Sequence, residues 1–346
     1  MATFTSYDTI GKAEDVSDII NNISPTDTPF QSMIGKRKVH NDLFQWQEDS
    51  LAGVKDNAAI DGADAGAANL SPTVMRRNYT QIIEDVVQVS GRADAIKTYG
   101  RARETAYQLM KKGKELKRDL EHALVGRVNN AAVGDATTTP SRMGNVFGTD
   151  ADSVAMIKAS AVIPAGTNGG TPNATTGAVM TEADLLALHL RLFREGSDPK
   201  IFMITPEESL TVANFAAASG RERDFGSRTE IVNAVDLYVS PYGELKVVVN
   251  RFLQAYLADD ADPIEEQDNP TTEPDAGTDA DQLGEALLFD PEMFQLATLR
   301  PWRRTLLAKT GDSEKHQILG EYSLVHKNYG ASGRITDILS TNSASE

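Results

Sequence analysis

The amino-acid sequence predicts an α+β protein whose first half cannot fold into a compact domain by itself. Two strand-like runs, 39–51 and 73–90, flank a small polar stretch, and an unbroken helical run without proline follows at 98–133. A bare two-stranded hairpin is only marginally stable in water. The long hairpin therefore requires a partner that covers it, and we expect that partner to be another copy of the chain.

The N-terminal residues 1–38 are predicted to form an arm. Residues 13–22 show a short helical pattern with one apolar side, and the proline-containing segment 24–30 ends it. The arm is too short to fold alone, so its apolar stripe must dock on another part of the assembly.

The hairpin 39–92 is expected to make contacts on both of its faces. Side chains alternate between the faces of a strand, and in the return strand 73–90 both sets mix apolar and polar residues. A surface strand normally has one apolar and one polar face. The side chains that we expect to contact neighbouring subunits are Phe44, Trp46, Lys55, Tyr79, Ile83 and Val87.

The helical run 98–133 carries a narrow apolar stripe at spacings of three and four residues, from Leu109 through Leu116 and Leu120 to Leu124. Its predicted length is about 50 Å, which is enough to span a domain. The run also carries a basic cluster of Lys111, Lys112, Lys114, Lys117 and Arg118. These cations could pair with nearby glutamates and neighbouring subunits, or face a polyanion.

The second half of the chain is predicted to contain both helices and strands. Helices are predicted at 181–194, which opens with a capping box, and at 206–219. Predicted strands are 155–163, 200–204, 235–239, 245–250, 286–289, 295–299, 305–308 and 317–325, the last followed by a polar tail.

Acidic and basic residues are distributed unevenly along the chain. The net charge is −16, but eleven acidic and no basic residues lie between Asp259 and Glu285, which leaves −5 for all other residues. The prolines in 258–285 predict an irregular loop that faces solvent, away from any polyanion. The alternative is a shell subunit with an acidic outer face and a more basic inner face.

No motif predicts catalysis, a cofactor or a metal. The chain has no cysteine, and its five histidines are scattered without ligand spacing. It contains no phosphate-binding loop, dinucleotide fingerprint or nucleophile elbow. No apolar run approaches the roughly 18 residues of a membrane helix. An acidic hydrolase with a lid hairpin remains an alternative, and it would require a pocket of convergent titratable groups.

Four segments resemble the major capsid protein of tailed bacteriophages, in the version found in short-tailed and related phages. They are DVSDIINNISPTDTPFQSMIG (15–35), FQWQEDSL (44–51), YGRARETAYQLMKKGKELKRDLEHALVG (99–126) and KTGDSEKHQILGEYSLVHKNYG (309–330). The resemblance implies the Hong Kong 97-type fold and a non-enzymatic protein that self-assembles into an icosahedral head. An encapsulin-like nanocompartment shell, which shares this fold, is the alternative.

The resemblance gives each segment a role. It implies an N-terminal arm (1–38), an extended loop, or E-loop (39–92), and a peripheral domain (93–180) with a spine helix (98–133). An axial domain (181–299) with the acidic insertion (258–285) follows, and 300–346 returns to the peripheral domain and ends in a tail.

The resemblance also implies partners and a location. Hexamers and pentamers of the chain would enclose double-stranded DNA, which the spine-helix cations would contact non-specifically on the inner face. No long segment precedes the arm, so we expect a separate scaffolding protein, together with a portal protein and possible cement or decoration proteins. The protein is expected in the virion, assembled in the cytoplasm of the host bacterium, with no cofactor and no membrane contact.

Overall fold

A computed structural model describes residues 27–58, 61–62, 64, 70–96, 103–126, 131–135, 137–146, 179–218, 237–256, 282–309 and 311–338. The chain divides into two compact units, each built from segments that are distant in sequence. Besides Met1–Asp27, the first unit contains Glu84–Arg118 and Trp302–Leu319. The second unit contains Thr28–Ile83, Asp119–Pro301 and Gly320–Glu346.

The described residues form both helices and strands, in agreement with the predicted α+β class. The described helices are α1 (Pro29–Met33), α2 (Gly91–Ala95), α3 (Glu104–Val125), α4 (Glu182–Arg194) and α5 (Glu208–Ala218). The described strands are β1 (Gly35–Lys38), β2 (Leu43–Glu48), β3 (Val74–Tyr79), β4 (Gln81–Ser90), β5 (Ile201–Ile204), β6 (Leu237–Ser240), β7 (Gly243–Val249), β8 (Gln254–Tyr256), β9 (Gln282–Phe289), β10 (Phe294–Leu306), β11 (Ser313–His326) and β12 (Gly333–Ile338).

A six-stranded sheet organises the second unit. Its order is β12-β9-β5-β7-β6, and β8 also pairs with β9. Helix α4 packs on one face through Leu185, Leu188 and Leu192, which are buried because the apolar stripe of an amphipathic helix faces the core. The predicted capping box is present, since the Thr181 N–H donates to the Asp184 carboxylate at 2.9 Å. The predictions of helix 181–194 and strand 200–204 are confirmed.

An aromatic cluster anchors the end of the predicted arm in the second unit. Phe30 of α1, Phe289 of β9 and Phe294 of β10 lie with their ring centroids 5.5 Å apart in each pair. Tilted and edge-on contacts of this kind add to the area that the rings bury. Residues 29–33 therefore belong to the folded core, while the predicted helix 13–22 lies outside the described residues.

The four-stranded sheet has the order β1-β10-β11-β4. Strand β1 runs parallel to β10, with Gly35 opposite Gln295 and Lys38 opposite Thr298. Strand β10 is continuous from Phe294 to Leu306, where the sequence predicted two strands, 295–299 and 305–308. The sequence pattern was broken by Pro301, and a proline is tolerated in a strand where its missing N–H is not required.

The expected return strand 73–90 is two strands with different partners. Strand β3 pairs with β2, from Leu43 opposite Tyr79 to Glu48 opposite Val74. After Thr80, β4 joins the four-stranded sheet. The change occurs because the Thr80 N–H donates to the Asp42 carbonyl at 2.9 Å, which holds the chain at the base of the hairpin.

The predicted spine helix 98–133 is too long. Helix α3 spans Glu104–Val125, and the described residues at 103, 126 and 131–133 are not helical. It ends at Gly126, whose N–H donates to the His122 carbonyl at 2.7 Å. A Cβ at Gly126 would lie 2.5 Å from that carbonyl oxygen, so the helix end fits glycine only.

The acidic insertion 258–285 also ends earlier than predicted. Strand β9 begins at Gln282, and the side chain of Glu285 is only 1% exposed, so the expectation that this carboxylate faces solvent is wrong. The strand extends back because both β8 and β12 pair with Gly284. Residues 258–281 and the predicted strand 155–163 lie outside the described residues.

The C-terminal region contains a strand that the sequence pattern did not reveal. Residues 300–346 were expected to return to the peripheral domain and end in a polar tail. Instead, β12 forms an edge of the six-stranded sheet through pairing with β9, with Ile335 opposite Ala286. Ile335 and Ile338 are buried in the α4 core cluster, which explains why this part of the tail is ordered into a strand.

Candidate subunit-contact surfaces

The tip of the hairpin exposes large apolar side chains. Leu51 and Val54 are fully exposed, and Leu70 is 89% exposed. They lie beyond β2 and before β3, where the described chain forms no helix or strand. A side chain that is fully exposed contacts almost nothing of its own subunit. Three such residues on one loop are typical of a surface that another molecule covers.

The base of the hairpin is held by Asn78, which is completely buried. Its Nδ2 donates to the carbonyls of Leu324 at 2.7 Å and Gly144 at 3.1 Å. Its Oδ1 accepts the N–H groups of Gly144 and Tyr79, each at 2.8 Å. Every donor and acceptor of the amide group is therefore used, and the loop projects from a fixed base.

A second clamp lies next to Asn78. The Thr80 hydroxyl donates to one oxygen of Glu321 at 2.7 Å, and Arg300 Nε donates to the other oxygen at 2.7 Å. The Ser323 hydroxyl donates to the Tyr79 carbonyl at 2.6 Å. The two bonds to the Glu321 carboxylate are charge-assisted, and together with the Ser323 bond they tie the base of the hairpin to β10 and β11.

The structure distributes the six predicted contact residues unevenly. Phe44, Ile83 and Val87 are buried within the subunit, and Trp46 is half-buried and stacks on Phe44 with ring centroids 5.8 Å apart. Tyr79 is half-buried and Lys55 is exposed. Their contact with a neighbouring subunit stays a prediction, but a neighbour can reach only the less buried members.

Sequence reasoning missed the apolar side chains that strand β4 exposes. Ile82 and Val86 are 50% and 46% exposed, whereas Ile83 and Val87 on the opposite face are buried. The strand pattern shows two apolar sets and does not identify which of them the subunit itself covers.

Lys111 and Lys112 of the predicted basic cluster on α3 form ion pairs. Lys112 Nζ lies 2.8 Å from both Asp85 and Glu115, and Lys111 lies 3.6 Å from Glu115. These carboxylates raise the pKa of Lys112 further above its ordinary value. Lys114 and Lys117 are exposed and Arg118 is half-buried, and neither Lys114 nor Arg118 forms an ion pair with a described residue.

The arrangement of histidine and serine does not form a hydrolase site. Ser240 Oγ lies 2.9 Å from His189 Nδ1, but it also donates to the Gly243 carbonyl and accepts the Tyr242 N–H. Both side chains are buried, so the hydroxyl holds the β6–β7 turn and no substrate reaches it. Within the part of the chain that the structure describes, no three His, Asp or Glu side chains could hold a metal ion, and no helix is long and apolar enough to span a membrane.

Solved structures define the class of protein. The fold is similar to the capsid subunit of cyanophage A-1(L), with a TM-score of 0.62, 13% identity and coverage of 95% of this chain and 97% of that one. The capsid of a native GTA particle gives a TM-score of 0.59 at 9% identity, with 96% and 97% coverage. The SrpI encapsulin of Synechococcus elongatus PCC 7942 gives 0.52 at 10% identity, with 93% and 94% coverage. The chain therefore has the Hong Kong 97-like fold of shell-forming subunits.

Sequence relatives identify the family. The family model described as SU10 major capsid protein matches residues 3–339, and the chain belongs to this family. It is 32% identical over 363 residues to the major capsid protein of Escherichia phage Phieco32, covering 95% of each chain. The protein is a structural component of a tailed-phage capsid and not an enzyme, and it associates with copies of itself in the virion. The encapsulin alternative shares the fold only.

Proposed function

We propose that the subunit assembles through its hairpin into hexamers and pentamers, which close an icosahedral shell around double-stranded DNA. The observation that carries this proposal is the full exposure of Leu51 and Val54 on a loop with a rigid, hydrogen-bonded base. A projecting loop whose base is fixed by hydrogen bonds loses less conformational freedom on contact than a loop with a free base. Residues 39–92 would lie over a neighbouring subunit.

A loop deletion tests this role. Removal of Ala52–Ser71 is expected to leave a folded, soluble subunit that forms no stable particles in electron micrographs. A full-length variant with Leu51, Val54 and Leu70 changed to serine should behave in the same way, since it removes only the apolar contacts. Met110→Ser is a control, because Met110 is also 59% exposed but lies on α3. Normal heads from the loop variants would disprove the proposal.

The domain roles follow the family pattern. Apart from β12, the six-stranded sheet and helices α4 and α5 fall within the proposed axial domain, 181–299, and α3 would be the spine helix of the proposed peripheral domain, 93–180. Residues 1–38 would be the arm, and 300–346 would return to the peripheral domain apart from β12. Mapping protease-resistant fragments of the unassembled subunit would test these boundaries.

The inner-face role of α3 rests on its exposed cations. Lys114 and Lys117 are exposed and Arg118 is half-buried on this helix, which buries Leu116, Leu120 and Leu124. Non-specific contact with packaged DNA, or earlier with a scaffolding protein, would neutralise them, and the DNA contact would weaken with salt through counterion release. Lys111 and Lys112 contribute less, since Glu115 and Asp85 already pair with them.

Further partners follow from the membership of a phage capsid family. Assembly would take place in the cytoplasm of the host bacterium, with a separate scaffolding protein and a portal protein at one vertex, and a decoration protein could bind outside. Co-expression of the subunit with candidate scaffolding proteins, scored by particle size and uniformity, tests the scaffold requirement.

A protein-storing shell is the second candidate function, and the similarity to the SrpI encapsulin favours it at the level of fold. The two functions differ in particle content. A phage head yields nuclease-protected DNA of uniform length, whereas a nanocompartment yields cargo protein and no protected DNA. Ultraviolet spectra and gel electrophoresis of particles purified from infected cells distinguish them.

A further inference from the structure

A buried carboxylate in the second unit has no partner among the described residues. Glu208 is the first residue of helix α5, and its side chain is completely buried. Neither carboxylate oxygen forms a hydrogen bond of acceptable distance and angle, and no described Lys, Arg or His forms an ion pair with it. An ionised carboxylate that is buried without a partner is strongly unfavourable, so this group requires a compensating positive charge or a proton.

Two hydroxyl groups accompany this carboxylate. Thr205 follows strand β5, Thr211 lies three residues beyond Glu208 on α5, and their side chains are 1% and 4% exposed. Residues three apart lie on the same side of a helix, which places Thr211 beside Glu208. Like the carboxylate oxygens, the two Oγ1 atoms form no hydrogen bond of acceptable geometry with a described residue. Four buried oxygen atoms therefore have unused lone pairs at the start of α5.

Gly284 of strand β9 shows that two of these oxygens point to the same place. A Cβ at Gly284 would lie 3.3 Å from both Glu208 Oε1 and Thr205 Oγ1. Both atoms therefore face the small space beside the Gly284 Cα. Strands β8 and β12 both pair with β9 at this residue, so the oxygens connect the start of α5 with an inner strand of the six-stranded sheet.

The surrounding protein does not balance the charge of the carboxylate. The N-terminus of a helix contributes only about half a positive charge. Glu207, the titratable group that interacts with Glu208, is exposed and adds negative charge. The electrostatic potential at the four oxygens therefore favours a bound cation.

The donor atoms indicate the class of cation. All four are oxygens, which suit hard cations, whereas soft metals prefer sulfur and nitrogen. Calcium takes six to eight oxygen ligands in its protein sites, and magnesium usually keeps several of its own waters. A single carboxylate balances one positive charge, so a monovalent ion leaves no net charge in the buried site.

We propose that Glu208, Thr205 and Thr211 bind an alkali-metal cation, Na⁺ or K⁺. The carboxylate supplies the balancing charge, and the hydroxyl oxygens supply further ligands. The bound cation joins the start of α5 to β9 and stabilises the folded subunit, because the unfolded chain does not hold these side chains together. This inference concerns the interior of one subunit, so its failure would leave the proposed assembly function unaffected.

A proton competes with the cation for the same carboxylate. Burial raises the pKa of Glu208 to about 7, so the group is ionised at pH 8 and protonated at pH 4. Stabilisation by the cation should therefore be present at pH 8 and absent at pH 4.

Thermal unfolding of the full-length subunit tests the site. The unfolding temperature is measured at pH 8 in choline chloride, NaCl and KCl at equal ionic strength, so that general screening is the same in all three salts. Choline is too large to enter the site. We expect NaCl or KCl to raise the unfolding temperature by at least about 2 °C relative to choline chloride, and to have no such effect at pH 4.

Variants assign the effect to the named oxygens. Glu208→Gln should abolish the rise, and Thr205→Val should shift it to higher cation concentration. In choline chloride at pH 8 Glu208→Gln should be more stable than the natural subunit, because it buries no charge, and the alkali cation should narrow this difference. Glu207→Gln is the matched control, since it removes an adjacent but exposed carboxylate, and it should keep the full rise.

Anomalous diffraction from crystals of the natural subunit grown with thallium(I) gives a direct measurement that needs no variant. A peak in contact with the Glu208 carboxylate and Thr205 Oγ1 is expected. Three results would overturn the proposal: equal unfolding temperatures in the three salts, a rise that persists in Glu208→Gln, or a response to Mg²⁺ or Ca²⁺ without one to Na⁺ or K⁺. The lack of an anomalous peak at Glu208 would also overturn it.

Discussion

The carboxylate of Glu121 on helix α3 accepts the backbone N–H of Phe30 at 2.7 Å, which joins two residues 91 positions apart. It also accepts the Gln31 N–H at 2.9 Å and the Asn250 Nδ2–H at 2.9 Å. Helix α1 receives no side-chain cap from its own Thr28. Glu121 therefore caps the arm helix from a distance and links it to the turn after β7.

Replacement of Glu121 by alanine is expected to destabilise the subunit strongly. It removes the acceptor of two buried donors, the Phe30 N–H and Asn250 Nδ2–H, and of the half-buried Gln31 N–H, and each buried donor left unsatisfied costs about 1–3 kcal/mol. We expect a loss of at least about 3 kcal/mol in the free energy of unfolding, measured by urea denaturation of the unassembled subunit. Glu115→Ala is the control on the same helix, and its partly exposed ion pairs contribute no more than about 1 kcal/mol. Equal losses for the two variants would contradict the capping role.

Glu208 is expected to make the stability of the subunit depend on pH. Burial raises the pKa of its carboxyl group from near 4.5 to about 7. The folded state therefore binds the proton more tightly than the unfolded state, and the free energy of unfolding falls as the pH rises from about 4.5 to about 7.

Glu208→Gln removes this titration. We expect the variant to be more stable than the natural subunit above pH 7 by up to about 3 kcal/mol, and similar to it at pH 4. Denaturation curves at pH 4, 6 and 8 measure the difference. Glu207→Gln serves as the control, because Glu207 is exposed. A constant difference across this pH range would show that the carboxyl group does not titrate as described.

His326 gives the opposite dependence on pH. It is stacked on Phe294 with ring centroids 4.2 Å apart, and its Nε2 lies 3.1 Å from Ser332 Oγ. Burial, reinforced by the positive charge of Arg76, lowers its pKa from 6.5 to about 3. Stability is therefore lost as the pH falls from about 6.5 towards 3. His326→Phe should reduce this acid sensitivity in denaturation curves, whereas an unchanged acid profile would assign the sensitivity to other groups.

Local sequence patterns predicted the helices and strands that are stabilised by contacts between residues close in sequence. The capping box at Thr181 and the stripe of Leu185, Leu188 and Leu192 lie within a few residues of one another, so helix α4 could be read directly. The stripe on α3 was equally visible, but its end at Gly126 depends on a single close approach to His122. The start of β9 was not predicted, because it lies in an acidic run whose composition favours a loop. Pairing with β8 and β12 makes these residues a strand.

The contact surfaces were harder to predict, because they depend on which face the subunit covers. The alternation in β4 identified two sets of side chains, but only the fold shows that Ile83 and Val87 are buried and that Ile82 and Val86 are exposed. No sequence pattern predicted that Asn78 holds the base of the hairpin. Its partners at Gly144 and Leu324 are 66 and 246 residues away, and no sequence spacing records such a contact.

Replacement of Asn78 by alanine is expected to release the base of the hairpin. The change removes four hydrogen bonds, three of them buried, and leaves their backbone partners without this side chain, at a cost of about 3 kcal/mol or more. Both the free energy of unfolding and the yield of particles should fall. Asn41→Ala is the control, because Asn41 accepts one exposed hydrogen bond from Asp42. Full particle yield from the Asn78 variant would show that a fixed loop base is not needed for assembly.

We expect the lysines of α3 to divide into those that stabilise the subunit and those that are available to contact DNA. Lys112 holds Asp85 and Glu115 at 2.8 Å, so Lys112→Gln should lower the thermal stability of the subunit slightly. Lys114 is exposed and forms no ion pair with a described residue, so Lys114→Gln should leave stability unchanged. If the helix faces packaged DNA, Lys114→Gln combined with Arg118→Gln should lower genome retention when filled heads are heated, and the loss should grow with salt concentration. Heads of this double variant that retain their DNA as well as the natural heads, while Lys112→Gln alone lowers retention, would assign the basic cluster to ion pairs within the subunit.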